Sequence, residues 1–228
     1  MVFPFHGRVG IGLIVIFWPL NWLVPNWLTS SESPLLISHF GWVGFFPLWL
    51  GYCLTVSALT CLRKGNSILT RNFFAYCLLF VISSPSWWLF EFINWRTQNW
   101  FYEGRSSVTS LQYAIFASIS FSTVIPAVFG TAEWVSTFDW TRRPLRGIRF
   151  TIRPRNTILM FILGWSMLGL LIYRPRYFFP FVWMSVHFIL DPINAWLGHN
   201  SLLSHTNRGD WRPAFSLAVG CLICGFFW

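Results

Sequence analysis

Three carboxylate side chains lie inside apolar stretches of this 228-residue chain: Glu91, Glu133 and Asp191. A charged side chain at membrane depth is costly and normally faces a protein interior, where it can serve a function. A buried carboxylic acid can donate a proton, and aromatic faces can stabilise a cation that forms beside it. We therefore take these residues as candidate catalytic acids for chemistry on an isoprenoid or a lipid.

Residues around Glu91 recur at helical spacing. Asn94 is three residues further on, and Trp87 and Trp95 are four residues before and after, so a helix places all of them on one face. Arg96 ends the apolar stretch and is the natural charge partner of Glu91. Two interpretations stay open: an acid and an amide that line an indole-walled pocket, or a structural pair that locks helix packing.

Glu133 ends a stripe with steps of three and four residues, which is typical of one helix face: Ser118, Ser122, Pro126, Phe129 and Glu133. Serine hydroxyls form hydrogen bonds between membrane helices, so helix packing is the favoured interpretation of Ser118 and Ser122. We expect Glu133 to face an arginine or the first of the three acids.

The third acid lies among His187, Asp191, Pro192 and Asn194. Because proline cannot continue the hydrogen-bond ladder, we predict a broken helix, with Asp191 as the N-cap of a new short helix. His187, Asp191 and His199 could together bind a metal ion, but their spacing matches no established metal motif. The capping interpretation is favoured, and no metal site is predicted.

Composition places the chain among membrane proteins. It is 55% hydrophobic and 10% charged, with a mean hydropathy of +0.54, whereas soluble domains carry roughly 25% charged residues. Its 16 Trp residues suit the membrane interfaces. The net charge of +9 comes from arginines in short loops between apolar stretches, so nucleic-acid binding is excluded.

Seven stretches are apolar and long enough to cross the bilayer as helices. They are residues 9–24, 43–62, 72–94, 108–138, 157–173 and 177–197, and a last stretch that begins near Pro213. These stretches predict an all-α fold, a polytopic transmembrane bundle of about seven spans that forms a single domain over residues 1–228. The last stretch is short and ends without a polar tail, so we expect either a longer natural chain or a neighbour that covers this end.

Most of the 16 Lys and Arg residues lie in loops on one side of the predicted bundle. Loops on the other side hold only Arg96, Arg105, Arg174 and Arg176. Cytoplasmic loops are enriched in Lys and Arg, so we predict a multi-pass protein of the inner (cytoplasmic) membrane with a cytoplasmic N-terminus. The basic loop 142–155 either determines this topology or binds anionic headgroups or a partner.

Two sets of residues carry a resemblance to an uncharacterised group of bacterial polytopic membrane proteins. They are E-x-x-N-x-R-x-x-N-W-x-Y from Glu91, and D-P-x-N from Asp191 followed by S-L-L and R-G-D-W-R. The resemblance implies the same membrane fold over most of the chain and implies no activity. The pattern from Glu91 to Tyr102 is also similar to that of membrane enzymes that modify carotenoids or isoprenoids, which implies an apolar substrate.

Two functions are consistent with these features. The first is a non-catalytic integral subunit of a larger membrane complex, in contact with lipids and other integral subunits and with carotenoids, quinones or other pigments, none bound covalently. Its packing or binding residues would be Trp87, Asn94, Arg96, Ser118, Ser122, His187 and Asn194. The alternative is a membrane-embedded enzyme that acts on an isoprenoid or lipid through the buried carboxylates. The chain has no nucleotide-binding loop, G-x-S-x-G or H-E-x-x-H motif, which argues against an ATPase or hydrolase.

Overall fold

The computed structural model describes residues 2–27, 40–102, 105, 108–142 and 147–228. The predicted all-α fold is confirmed for these residues, which form helices and no β-strand. In chain order the helices are α1 (Phe5–Trp27), α2 (Phe40–Lys64), α3 (Ile68–Arg71), α4 (Phe73–Thr97), α5 (Ser110–Phe121), α6 (Val124–Val135), α7 (Asp139–Arg142), α8 (Pro154–Tyr173), α9 (Pro175–Phe178), α10 (Phe181–Trp196), α11 (Leu202–Asn207) and α12 (Arg212–Phe227).

Four segments of the described chain are long and apolar enough to cross a membrane: Val43–Lys64, Phe73–Thr97, Ser110–Val135 and Pro154–Tyr173. They coincide with the second to fifth of the predicted spans. The remaining predicted spans form α1, α10 and α12, of 23, 16 and 16 residues. The count of seven spans therefore stays a prediction.

The predicted span 108–138 contains a turn at Ser122 and Thr123 that separates α5 from α6. Pro126 is the third residue of α6, a position where a backbone N–H has no partner within the helix. Ser83 of α4 satisfies the backbone at this turn, because its hydroxyl donates to the carbonyl of Phe121 and accepts from the N–H of Ile125 at 3.0 Å. A polar side chain from another helix thus allows the span to turn.

The residue contacts divide the chain into two compact units. Unit 1 comprises Met1–Trp88, Tyr102–Phe138 and Ser216–Trp228, and unit 2 comprises Leu89–Phe101 and Asp139–Phe215. Helix α4 contributes its residues up to Trp88 to unit 1 and the remainder to unit 2. The single domain predicted over residues 1–228 stays a prediction.

In unit 1, α1 packs closely along α2 through glycines. A Cβ atom built on Gly10 would lie 2.7 Å from the carbonyl oxygen of Gly51 and 2.6 Å from the hydroxyl of Thr55. A Cβ atom on Gly51 would lie 2.8 Å from the carbonyl oxygen of Gly10. Small residues let the backbones of membrane helices approach in this way.

The buried face of α5 and α6 differs from the predicted serine stripe. Its residues are mostly small: Ala117, Ser120, Phe121, Val124, Pro126, Ala127, Thr131 and Val135. Helix α12 packs against it so closely that a Cβ atom on Gly220 would lie 3.0 Å from the N atom of Ala132. Phe129 of the predicted stripe is exposed. Pro126 belongs to both the predicted stripe and this face, and Ser120 and Thr131 add hydroxyls to it, so small side chains of both kinds permit the close backbone approach.

In unit 2, the end of α4 packs with α8 and α10. Ile93, Leu171 and Val182 are buried at the centre, surrounded by partly buried aromatic and aliphatic side chains. Gly164 of α8 faces the backbone of α10, because a Cβ atom there would lie 3.0 Å from the N atom of Ile189. This core fixes the end of α4, which carries Glu91.

Candidate functional site

Glu91 lies beside a wall of aromatic rings in unit 2. Its Oε1 atom accepts a hydrogen bond from the indole Nε1 of Trp100 at 2.9 Å. The ring of Trp100 stacks on Trp183, with centroids 6.4 Å apart and planes inclined by 17°. Phe90 packs on the same Trp183 ring at 4.6 Å. Glu91 is thus half-buried and bonded to one of the rings that form this wall.

Asn94 holds the backbone that returns after α4. Its Oδ1 accepts from the N–H groups of Asn99 at 2.9 Å and Trp100 at 3.2 Å, and its Nδ2 donates to the carbonyl of Trp100 at 2.7 Å. Gln98, with φ at 52°, turns the chain between them. The buried amide of Asn94 therefore positions Trp100, whose indole reaches Glu91.

The other residues predicted to share this face do not wall a pocket beside Glu91. Trp95 is 77% exposed and Arg96 is exposed, so the predicted indole wall at Trp95 was wrong. The Trp100 indole donates a hydrogen bond to Glu91, and Arg96, its predicted charge partner, is exposed. Trp87 belongs to unit 1, where its Nε1 donates to the hydroxyl of Tyr102 at 3.3 Å.

Glu133 is held by three contacts in unit 1. Its Oε1 lies 2.7 Å from Nζ of Lys64 and 2.6 Å from Nη1 of Arg71, and its Oε2 accepts from the N–H of Ile68 at 2.7 Å. The side chain is only 9% exposed. Of the two partners predicted for Glu133, the arginine is found within unit 1, together with a lysine.

The connection between α2 and α4 is bound to the end of α6 at several further points. Arg63 donates from Nε to the hydroxyl of Thr137 at 2.7 Å, and its guanidinium lies 3.9 Å from the ring centroid of Phe138. Ser67 caps α3 and exchanges hydrogen bonds with Thr70. Both carboxylate oxygens of Glu133 thus bind the basic connection between α2 and α4.

Asp191 is a buried cap of a different helix from the one predicted. Its Oδ1 and Oδ2 accept from the N–H groups of Leu202 and Leu203, each at 2.9 Å, so it caps α11. The predicted break at Pro192 was wrong, because α10 runs without interruption to Trp196. Proline removes one hydrogen bond of the ladder, and the surrounding helix tolerates that loss when other packing supports it.

Both carboxylate oxygens of Asp191 accept hydrogen bonds from the two amides of α11. His187 is half-buried against Phe188, and His199 is exposed after the end of α10. Asn194 is half-buried, and its carbonyl accepts from the N–H of His199 at 2.9 Å. Within the described ranges, no three metal-ligating side chains form a cluster.

The two serines of the predicted stripe behave differently. Ser118 accepts from the indole Nε1 of Trp88 at 2.9 Å and so links α5 to α4 within unit 1. Ser122 donates to the carbonyl of Ile119 at 2.6 Å in the preceding turn of its own chain segment. Only Ser118 makes the contact between helices that the packing interpretation requires.

An apolar pocket in unit 1 was not foreseen from the sequence. It encloses about 270 Å³ and is lined by Ile14, Trp18, Leu48, Trp49, Tyr52 and Phe227. The hydroxyl of Tyr52 is directed to Thr131 at 2.8 Å, and Trp228 packs on Trp49 with centroids 4.6 Å apart. The aromatic residues come from three distant segments, so only the packing of α1, α2 and α12 reveals the pocket.

The described residues thus offer an acid beside an aromatic wall in unit 2 and an apolar pocket in unit 1, while two further acids hold the chain together. Glu133 and Asp191 have both carboxylate oxygens engaged by cations or backbone amides.

Comparisons of the chain with protein-family models, with curated proteins and with solved structures give no match.

Proposed function

We propose that this chain is a non-catalytic integral subunit of a larger assembly in the inner membrane. The observation that carries the proposal is the engagement of Glu133 and Asp191. Both oxygens of each carboxylate accept hydrogen bonds from cations or backbone amides, so each side chain is held in place by other parts of the chain. Two of the three candidate acids therefore serve the fold.

The uncovered helices support an assembly. Only 11% of the most apolar window of α4 and 17% of that of α8 is buried, against 44% for Val43–Lys64 and 39% for Ser110–Val135. Helices α10 and α12 have 16 residues each, so each spans about 24 Å of a hydrocarbon layer of about 30 Å. Neighbouring subunits would cover both the apolar faces and the short helices.

Contacts within unit 1 also support one part of the proposed topology, the two crossings between Arg71 and Glu133. The bonds from Lys64 and Arg71 to Glu133 bring the connection between α2 and α4 to the end of α6. The topology requires both of these chain segments to lie on the cytoplasmic side. A bundle with one crossing fewer between Arg71 and Glu133 would separate them by the thickness of the bilayer.

The apolar pocket suits part of a carotenoid, a quinone or a lipid chain. Its lining is aromatic and aliphatic, and the hydroxyl of Tyr52 is engaged with Thr131. Binding sites for small apolar ligands are mostly apolar and partly preformed. A subunit that holds pigments or quinones would place them here.

The test is gentle detergent extraction followed by native electrophoresis and mass spectrometry. We expect the chain to co-migrate with other integral membrane proteins. Matched pairs of substitutions on the two uncovered helices locate the contact: Leu78→Trp with Ile82→Trp on α4, and Leu159→Trp with Leu163→Trp on α8. All four side chains are exposed, so the larger residue creates no clash within the chain. Migration of the wild-type chain as a free monomer would contradict the proposal.

The alternative is a membrane-embedded enzyme for an isoprenoid or lipid, and the geometry of Glu91 favours it. This acid lies beside Trp100 and the stacked ring of Trp183, and indole faces stabilise cationic intermediates. Glu91→Gln keeps an acceptor for the Trp100 indole and removes the acidic proton. An intact assembly with loss of a lipid product would favour the enzyme, whereas an unchanged lipid profile would favour the subunit.

A further inference from the structure

An extended segment precedes α8 in unit 2, and we call residues 147–153 the strap. Three hydrogen bonds hold it against the turn before α12: Gly147 N to Gly209 O at 3.3 Å, Ile152 N to Asn207 Oδ1 at 3.2 Å, and Trp211 Nε1 to Ile148 O at 3.1 Å. A Cβ atom on Gly147 would overlap the Trp211 indole. The strap is therefore a fixed surface of unit 2.

The strap alternates apolar and polar side chains. Ile148, Phe150 and Ile152 are 76%, 49% and 38% exposed. Arg149 lies between the first two of these residues, and Arg153 follows the third. Successive side chains of an extended chain point to opposite faces, so the apolar side chains share one face. Apolar side chains beside arginines are typical of segments that lie in the membrane interface.

The charges near the strap are almost all positive. Arg149, Arg153, Arg155 and Arg208 are exposed. The stem of Arg149 lies over Gly209, where a Cβ atom would be 3.4 Å from its Cγ. The nearby carboxylate of Asp210 is engaged by Arg212, from Nε and Nη2 at 2.8 Å each. The surface therefore presents several guanidinium groups to an anionic ligand.

The position of the strap relative to the bilayer follows from α8, the next helix along the chain. Pro154 begins α8, one of the segments that can cross a membrane, and the strap ends at the residue before it. Where α8 spans the bilayer, the strap lies at headgroup level. There its apolar side chains can enter the boundary of the acyl chains while the arginines reach the phosphates.

We propose that the strap binds anionic phospholipids at the bilayer surface. Ile148, Phe150 and Ile152 insert at the acyl boundary, and Arg149, Arg153 and Arg155 bind the headgroup phosphates. The site is independent of the subunit function proposed above. It would serve equally in a monomer, because every residue in it belongs to unit 2.

The test measures lipid retention by the full chain in non-ionic detergent, with phosphatidylglycerol and phosphatidylcholine of identical acyl chains as probes and native mass spectrometry as the readout. We expect the wild-type chain to retain phosphatidylglycerol preferentially. Replacing Arg149, Arg153 and Arg155 by Gln should lower its apparent affinity by about tenfold or more, because each basic residue near an anionic surface contributes about 1 kcal/mol.

A charge-matched control replaces Arg8, Arg174 and Arg176 by Gln, which are exposed arginines outside the strap. It should change the affinity by less than about twofold, because these residues do not belong to the strap and long-range attraction is screened by salt. A similar fall in both triple variants would overturn the proposal, since it would show an effect of net charge alone. Equal retention of the two lipids by the wild-type chain would also overturn it.

A second variant separates a bilayer lipid from free phosphate. Ile148→Ser keeps every arginine and removes an apolar side chain that is 76% exposed, while Phe150 keeps its contact with the ring of Trp211. We expect at least about a threefold loss of phosphatidylglycerol retention, because buried apolar area contributes to interfacial binding. Unchanged retention, or displacement of the lipid by an equal concentration of inorganic phosphate, would mean that the strap is a simple phosphate site and would refute the proposal.

Discussion

The three candidate acids each accept hydrogen bonds from a different kind of donor. An indole N–H donates to Glu91, two side-chain cations and a backbone amide donate to Glu133, and two backbone amides donate to Asp191. A carboxylate buried without partners would cost several kcal/mol, so each of these contacts supports the local fold. Residue type and depth alone therefore do not distinguish a catalytic acid from a structural one.

Replacing Glu133 by Gln should destabilise the chain. The amide keeps the shape but loses the charge, so the ammonium of Lys64 and the guanidinium of Arg71 lose their counter-ion. Because these two partners are partly exposed, we expect a loss of about 1–3 kcal/mol in the free energy of unfolding. Denaturant unfolding in detergent, followed by tryptophan fluorescence, measures it.

The control for Glu133→Gln is Asp210→Asn, which changes a more exposed carboxylate that also pairs with an arginine. Its effect should be clearly smaller, because surface ion pairs contribute little to stability. Equal effects of the two variants would mean that the burial of Glu133 adds nothing to its ion pairs.

The Asp210–Arg212 pair predicts a pH dependence. The hydrogen bonds from Arg212 lower the pKa of Asp210 to about 2. A carboxyl group whose pKa is lower in the folded than in the unfolded chain stabilises the fold above its unfolded pKa of about 3.9. This contribution is fully present above about pH 4 and is lost as the pH falls through about 2.

We therefore expect the melting temperature of the wild-type chain to exceed that of Asp210→Asn above about pH 4 and to approach it near pH 2. Comparing two proteins removes the effect of the other groups that titrate in this range. A difference in melting temperature that stayed constant from pH 5 to pH 2 would show that the carboxylate does not titrate in the folded chain as inferred.

At the scale of the elements, glycines determine which helices can pack together. Gly10 and Gly51 bring α1 and α2 into backbone contact, and Gly220 does the same for α12 and α6. Gly12 on α1 and Gly225 on α12 have no atom within 4 Å of a built Cβ. The same residue type on the same helix is thus needed at one position and not at another.

Gly10→Ala should destabilise the packing of α1 on α2, whereas Gly12→Ala should be neutral or stabilising. At Gly10 the new methyl group meets the backbone of α2, and overpacking of this kind costs about 1–3 kcal/mol. At Gly12 it meets open space and raises helix propensity by up to about 1 kcal/mol. Thermal unfolding of the two variants side by side measures the difference, and equal melting temperatures would refute the proposed interface.

At the scale of the whole chain, the open question is which segments cross the membrane. The described chain contains four segments long and apolar enough to do so, and the topology proposed here adds α1, α10 and α12. An odd number of spans places the two termini on opposite sides, so with the proposed cytoplasmic N-terminus the location of the C-terminus distinguishes seven spans from six.

A fusion of alkaline phosphatase after Trp228 should be active, because this reporter folds only outside the cytoplasm. A green fluorescent protein fusion at the same position should be dark when it is exported unfolded. Expression in a bacterial host with both reporters measures the outcome, and quantification by immunoblot controls for protein level. An inactive alkaline phosphatase fusion together with a fluorescent green fluorescent protein fusion would mean that the C-terminus is cytoplasmic and that the count of seven spans is wrong.

Composition and apolar length alone were sufficient to predict the all-α class and the four segments that are long and apolar enough to cross a membrane. The physical reason is local: within a bilayer a segment must satisfy its own backbone, so length and hydropathy select a helix before any partner is known. The enrichment of arginine between the apolar stretches can likewise be read from each segment without knowledge of its packing partners.

The roles of the acids depended on the tertiary structure. Asp191 caps a helix that begins eleven residues later, and Glu133 binds Lys64 and Arg71, which are far away along the chain. The apolar pocket likewise combines side chains from α1, α2 and α12. The sequence alone could identify which residues need a partner, because desolvation depends on the residue and its depth. Which partner each one finds depends on how the helices pack, and that is a property of the whole fold.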